Sequence, residues 1–172
     1  VLLGKERHDV GRPNNWGYPI RGIRKGDHLY LHNFEPNRWP AGNPETGYLN
    51  TDASPIKTLL LNQRRGGDYK FWEFNFGKRP REELFNVKTD RDCVKNLADN
   101  KTQSELKAAL KKQLFSELKK QGDPRMHGNG KVFEQYGFAW DTWSNFYEKY
   151  HRGEKIRTGW VLPSDYEKEK LD

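Results

Sequence analysis

Four charged or titratable side chains stand together at Lys5-Glu6-Arg7-His8, between Gly4 and Asp9 and directly after the apolar stretch Val1-Leu2-Leu3. A loop leaving a strand is a common place for ligand groups, because the scaffold fixes where they point. Arg7 offers a planar fork suited to sulfate or carboxylate, and His8 can donate a hydrogen bond or a proton near neutral pH. The plain alternative is a solvated charged loop. Arg38-Trp39-Pro40 forms a second such group, in a stretch crowded with Pro36, Pro40, Pro44 and Pro55. An exposed Trp beside an Arg can line a saccharide pocket; equally, the ring can plug the space beneath the loop.

Other constellations carry less chemistry. His28 and His32 flank Leu29-Tyr30-Leu31. On a strand the two rings share a face but stand roughly 13 Å apart, too far for one ion. Gly128-Asn129-Gly130-Lys131 lacks the leading glycine spacing and the following Ser or Thr of a phosphate loop. Trp140, Trp143, Phe146 and Tyr147 suggest a stacking platform, but the spacing of Trp143, Phe146, Tyr147 and Tyr150 is that of a helix face turned to a core. Cys93 is the sole cysteine, so no internal disulfide forms and redox chemistry does not indicate a compartment.

These groups need elements to hold them. Residues 19–24 and 28–34 predict a hairpin around Lys25-Gly26-Asp27, and residues 83–87 alternate as a half-buried strand. Lys88-Thr89-Asp90-Arg91-Asp92 then supplies turn chemistry, with Asp90 or Asp92 accepting from backbone N–H groups in the turn that holds Val94 and Leu97. Residues 35–55 predict a long loop, followed by a short helix over 54–63 with Ser54 as N-cap and Pro55 in its first turn. Residues 102–121 predict the longest helix, with Thr102 and Glu105 as a capping box and Leu106, Leu110, Leu114 and Leu118 as its buried stripe. A further helix is expected over 142–151, capped by Asp141, with a polar, frayed tail from Lys155. The expected class is α+β, a small antiparallel sheet packed against a long helix. It divides into residues 1–17 as strand and substrate-side loop, 18–98 as sheet with the long loop, and 99–172 as helices and tail.

The 172 residues carry a formal net charge of +7, with 33% hydrophobic and 13% aromatic residues. This favours contact with a polyanion, whether nucleic acid or acidic glycan, and leaves a thin core. The start at Val1, within an apolar strand, suggests the tail of a longer polypeptide, one face of which needs an upstream partner. No stretch approaches the roughly 18 apolar residues of a membrane span.

Glu83-Leu84-Phe85-Asn86-Val87, Asp90-Arg91 and Asn96-Leu97-Ala98 together resemble the C-terminal signature of the sulfatases, which reads Glu-Leu-Tyr-Asp-Leu, then Asp-Pro, then Asn-Leu-Ala. Tyr is replaced by Phe, Asp by Asn, Leu by Val and Asp-Pro by Asp-Arg. Tyr18-Pro19-Ile20-Arg21-Gly22-Ile23-Arg24, the run from Asn33-Phe34-Glu35-Pro36-Asn37 to Arg38-Trp39-Pro40, and Gly122-Asp123-Pro124-Arg125-Met126 are similar to sulfatases of the heparan N-sulfatase type.

The resemblance implies the C-terminal subdomain of an alkaline-phosphatase-like sulfatase, a four-stranded antiparallel sheet with a packed helix, from a periplasmic or secreted enzyme of sulfated glycans. It implies that Lys5, Arg7 and His8, with Arg38 and Trp39, border the substrate. It also implies calcium and a formylglycine in the full-length enzyme, held by a missing N-terminal catalytic domain of the same polypeptide. Cys93-Val94-Lys95-Asn96-Leu97 does not fit the Cys/Ser-x-Pro-x-Arg motif from which formylglycine is made. The expectation is a chain with no catalytic residue, metal ligand or cofactor of its own, inactive alone. Its partners are then the catalytic domain and a sulfated glycan, with neither nucleic acid nor membrane. The alternative is a free-standing basic module that binds acidic polysaccharide or nucleic acid.

Overall fold

Alternation and turn chemistry build the sheet. In the computed structural model, which describes residues 1–171, β1 (Leu2–Lys5), β2 (Ile20–Lys25), β3 (His28–Asn33) and β4 (Glu82–Asn86) form one antiparallel sheet in that order. Lys25 pairs with His28, and Gly26 between them takes φ +56°, the positive value a two-residue hairpin demands. Five helices accompany the sheet among the described residues: α1 (Pro55–Arg65), α2 (Lys70–Phe76), α3 (Ser104–Lys120), α4 (Val132–Gln135) and α5 (Phe146–His151). The chain is α+β and divides into two interleaved units. Val1–Glu6, Pro19–Glu35 and Pro80–Gln135 make the first; Arg7–Tyr18, Pro36–Arg79 and Tyr136–Asp172 make the second.

In the first unit α3 packs on the sheet. Its stripe of Leu110, Leu114 and Leu118 is buried with Ile23, Tyr30, Leu84 and Ala98, and Leu106 is partly buried beside them. Sequence periodicity placed that stripe correctly, but the helix starts later than expected. The Thr102 N–H donates to Asn100 Oδ1 at 3.0 Å and its hydroxyl to the same atom at 2.9 Å, so Asn100 caps a 3₁₀ turn over Lys101–Gln103 and α3 opens at Ser104. After β4, Asp90 is the capping carboxylate, accepting from Val94 N at 3.2 Å and Lys95 N at 2.9 Å.

Polar groups enter this core. The Tyr30 hydroxyl donates to Glu82 at 2.6 Å, and Lys111 reaches the same carboxylate at 3.1 Å. His32 is 6% exposed, edge-on to Phe34 and Phe115. Burial, then the charges of Lys111 and Arg81, pull its pKa from 6.5 to about 4 against the opposing pull of Glu82. Behind β1 and β2, Arg21 donates to Asp123 and Glu6, both at 2.6 Å, and Arg125 also holds Glu6.

The second unit is mostly loop. Ser54 caps α1 by accepting from Lys57 N, as its sequence position predicts. α2 lies outside the elements expected from sequence; its Trp72 and Phe76 pack with Tyr48, Leu60 and Leu61. α5 begins at Phe146 rather than at residue 142. Asn145 is held at φ 57° because its N–H donates to Asn15 Oδ1 at 2.8 Å, and a left-handed residue cannot continue a helix. The tail does not fray as the polar composition suggested. Lys57, 2% exposed, donates to Gly47 O and Thr51 O and pairs with Asp165 at 3.2 Å, while Glu167 receives Arg64 and Arg65.

Two outcomes are expected. Removing one partner of a buried pair strands the other charge, so Asp165→Ala should lower stability by roughly 3–5 kcal/mol in urea unfolding. The folded state keeps His32 neutral below the pH at which an unfolded histidine takes a proton. Stability should therefore be full above pH 6.5 and decline toward pH 4, by up to about 3 kcal/mol, a slope that His32→Phe removes.

Candidate functional site: a basic aromatic cleft in the second unit

The segment Gly11-Arg12-Pro13-Asn14-Asn15-Trp16 turns back on itself because two asparagines in succession accept φ 54°. The Asn15 amide ties that turn to Ser144 Oγ at 3.1 Å and Asn145 Oδ1 at 3.0 Å. Before it, Gly11 takes φ +96°, and a Cβ there would meet Leu49 Cδ1 at 2.7 Å, so only glycine fits. The turn thereby sets Arg12 inside and Trp16 outside. Arg12 is 1% exposed and donates through Nε to Trp39 O at 2.7 Å and through Nη2 to Pro40 O at 2.8 Å. One guanidinium thus fastens the Pro-rich loop to the Asn-Asn turn.

Between these loops lies a cleft of about 350 Å³, in the size range of small-ligand sites. Among the described residues its lining holds four cations, Arg12, Arg38, Lys78 and Lys170, and no Asp or Glu. Trp16, Trp39 and Tyr147 supply its rings. Arg38 lies over Trp16 at 4.6 Å from the ring centroid and donates to Gly17 O at 3.1 Å; Lys78 lies over Trp39 at 4.8 Å. Burial pulls the Arg12 pKa down to about 10, and the charge of Arg38 adds to that. Burial, then Glu45, hold the Tyr147 phenol above its usual value. A guanidinium pair that repels itself beside two ammonium groups gains electrostatic energy from an anion, and the Trp16 ring offers an apolar face to whatever carries that anion.

The five residues singled out from sequence have different fates. Arg38 and Trp39 both line the cleft, but Trp39 is 6% exposed and packs edge-on to Trp72, so it walls the cavity without offering a free face. Arg7 turns its fork to backbone, donating to Tyr136 O and Gly137 O at 2.9 Å each and to Asn15 O at 3.2 Å. His8 is exposed beside Asp9. Lys5 ends β1 in the first unit, exposed. The stretch from Gly4 to Asp9 is thus divided between the two units.

Arg12, Trp16, Lys78 and Lys170 were not picked out from sequence. A signal existed for the first two: Arg12 and Trp16 flank a Pro-Asn-Asn turn, a second Arg and Trp pair resembling Arg38-Trp39. Nothing in the local sequence marks Lys78 or Lys170. Of the aromatic group from residue 140 on, Trp140 is 61% exposed, while Phe146, on the helix face expected to meet a core, is fully buried.

No protein-family model matches this chain, and no curated protein sequence is significantly similar to it.

Arg12→Met should remove the donors that hold Trp39 O and Pro40 O and leave both carbonyls buried, lowering stability by roughly 3 kcal/mol. The urea midpoint checks this. Arg38→Met should shift it by less than about 1 kcal/mol, as expected of a partly exposed side chain.

Proposed function

We propose that this chain is the C-terminal region of a periplasmic or secreted sulfatase, in which it borders the substrate and supports the catalytic domain. The substrate is a sulfated glycan, cleaved at an ester or sulfamate. Support comes from the sulfatase-like run through Glu83–Ala98 and from the four-stranded antiparallel sheet with its long helix, the arrangement which that likeness implies. The observation that carries the reading is the cleft: four cations and three aromatic rings around one cavity suit an anionic sugar.

Formylglycine and calcium do not fit the residues of this chain. Cys93 lacks the Pro and Arg that direct its conversion, and among the described residues no group of three His, Cys, Asp or Glu could hold a metal ion. On this reading the reacting groups belong to another part of the polypeptide. The share of this chain is to bind and orient. In the second unit, Arg7 positions the loop through three carbonyls, and the exposed His8 beside it is the group of that loop that meets substrate.

The alternative, a free-standing polyanion module, draws on the net charge of +7, and no helix of the described residues is long and apolar enough to cross a membrane under either reading. The test joins this chain to a catalytic domain bearing the Cys/Ser-x-Pro-x-Arg motif and measures sulfate release from a heparin-derived oligosaccharide. Sulfate should be released by the joined polypeptide and not by the chain alone. Arg38→Ala should raise KM about tenfold, the loss of one charge-assisted contact, and His8→Ala should lower kcat/KM. No sulfate release by the joined polypeptide would sink the proposal. Equal affinity for single-stranded DNA and for a sulfated oligosaccharide of the same charge would favour the module.

A further inference from the structure

The C-terminal segment is anchored along its length within the second unit. Trp160 Nε1 donates to Leu49 O at 2.9 Å, and Trp160 O accepts from Ala53 N at 2.7 Å. Asp165 pairs with the buried Lys57, and its Oδ2 also accepts from Leu162 N at 2.9 Å. Glu167 N donates to Pro44 O at 3.1 Å, while the Glu167 carboxylate receives Arg64, Arg65 and the Tyr48 hydroxyl. The backbone is thus fixed to Glu167. Three residues on, Lys170 lines the cleft with Arg38 and Lys78, is exposed, and makes no hydrogen bond or ion pair with the described residues.

That anchor delivers one cation to a cavity whose lining, among the described residues, carries no carboxylate. A single bound sulfate presents one negative group to a lining with four cations. A sugar unit with two anionic groups presents two, and so can meet Lys170 as well as Arg38 or Lys78. We infer that Lys170 is a ligand-contacting, specificity-determining residue of the cleft, completing with Arg38 and Lys78 a cationic rim for a glycan that carries a sulfate and a second sulfate or carboxylate. The inference rests on the reading that the cleft takes an anionic glycan, and it adds that the C-terminal segment selects for the second charge.

The experiment titrates the full 172-residue chain with two probes, a heparin-derived disaccharide bearing both sulfate and uronate and a monosulfated N-acetylglucosamine, over a series of salt concentrations. Lys170→Met should weaken the disaccharide about tenfold, the loss of one charge-assisted contact. It should reduce the slope of log affinity against log salt by about one ion. The monosulfated sugar should change less than about twofold, and so should both probes with Lys168→Met, a residue outside the cleft. A chain ending at Glu169 should behave as Lys170→Met does. Unaltered urea midpoints for the point variants exclude unfolding as the cause. If the unsubstituted chain binds neither probe, the glycan reading of the cleft fails and this inference with it. If it binds both, and Lys170→Met leaves affinity and slope unchanged or weakens the two probes equally, the role of Lys170 is overturned while the cleft stands.

Discussion

Cations donating to backbone carbonyls, two of them buried, hold the second unit together, and the rest of its structure depends on them. A segment with prolines at 36, 40, 44 and 55 and glycines at 42 and 47 cannot pair its own carbonyls in a ladder. Arg12 supplies donors to Trp39 O and Pro40 O, Lys57 to Gly47 O and Thr51 O, and Arg7 to Asn15 O, Tyr136 O and Gly137 O. Each of these carbonyls sits in a loop or turn, where a long cationic side chain can reach what a neighbouring strand cannot. Part of the net positive charge therefore has an internal use. Read as composition, that charge suggests a polyanion; read in place, several of its members never face a ligand.

The first unit solves the same problem by regular pairing. Its strands and α3 satisfy their own backbone, and its cations instead meet carboxylates, as Arg21 and Arg125 do with Glu6 and Asp123. That network is partly buried, and its value lies in fixing β1, β2 and the turn at Asp123 to one another, since a buried ion pair recovers little more than its desolvation cost. The polar cluster of Tyr30, His32, Glu82 and Lys111 sits beside the leucine stripe of α3, where a purely alternating pattern would place apolar residues. Its cost is a histidine that must stay neutral.

Where the cleft is concerned, burial and exposure separate residues that look alike in sequence. Trp39 and Trp16 each lie under a cation, yet Trp39 is buried against Trp72, and Trp16 is only half-buried where it lines the cavity. Arg12 and Arg38 are both charged near the same cavity, yet the first is committed to carbonyls and sets the geometry in which the second operates. The binding proposal consequently assigns the structural work to buried members and the ligand contacts to exposed ones.

The elements governed by short-range rules were legible in the sequence. The Gly26 hairpin, the Ser54 cap, the Asp90 turn and the Leu110, Leu114 and Leu118 stripe each depend on a few neighbouring residues and the period of a strand or helix. Of the cleft, sequence indicated Arg38 and Trp39, because a cation beside an aromatic ring in a Pro-rich loop is a local pattern. The start of α5 and the order of the tail escaped, since the first depends on Asn15 reaching Asn145 and the second on Lys57 reaching Asp165, partners 130 and 108 residues apart. Lys78 and Lys170 escaped for the same reason. A local sequence states the charge of a side chain, but whether that charge meets a carbonyl, a ring or an open cavity is decided by segments distant in the chain, which only the folded backbone brings within reach.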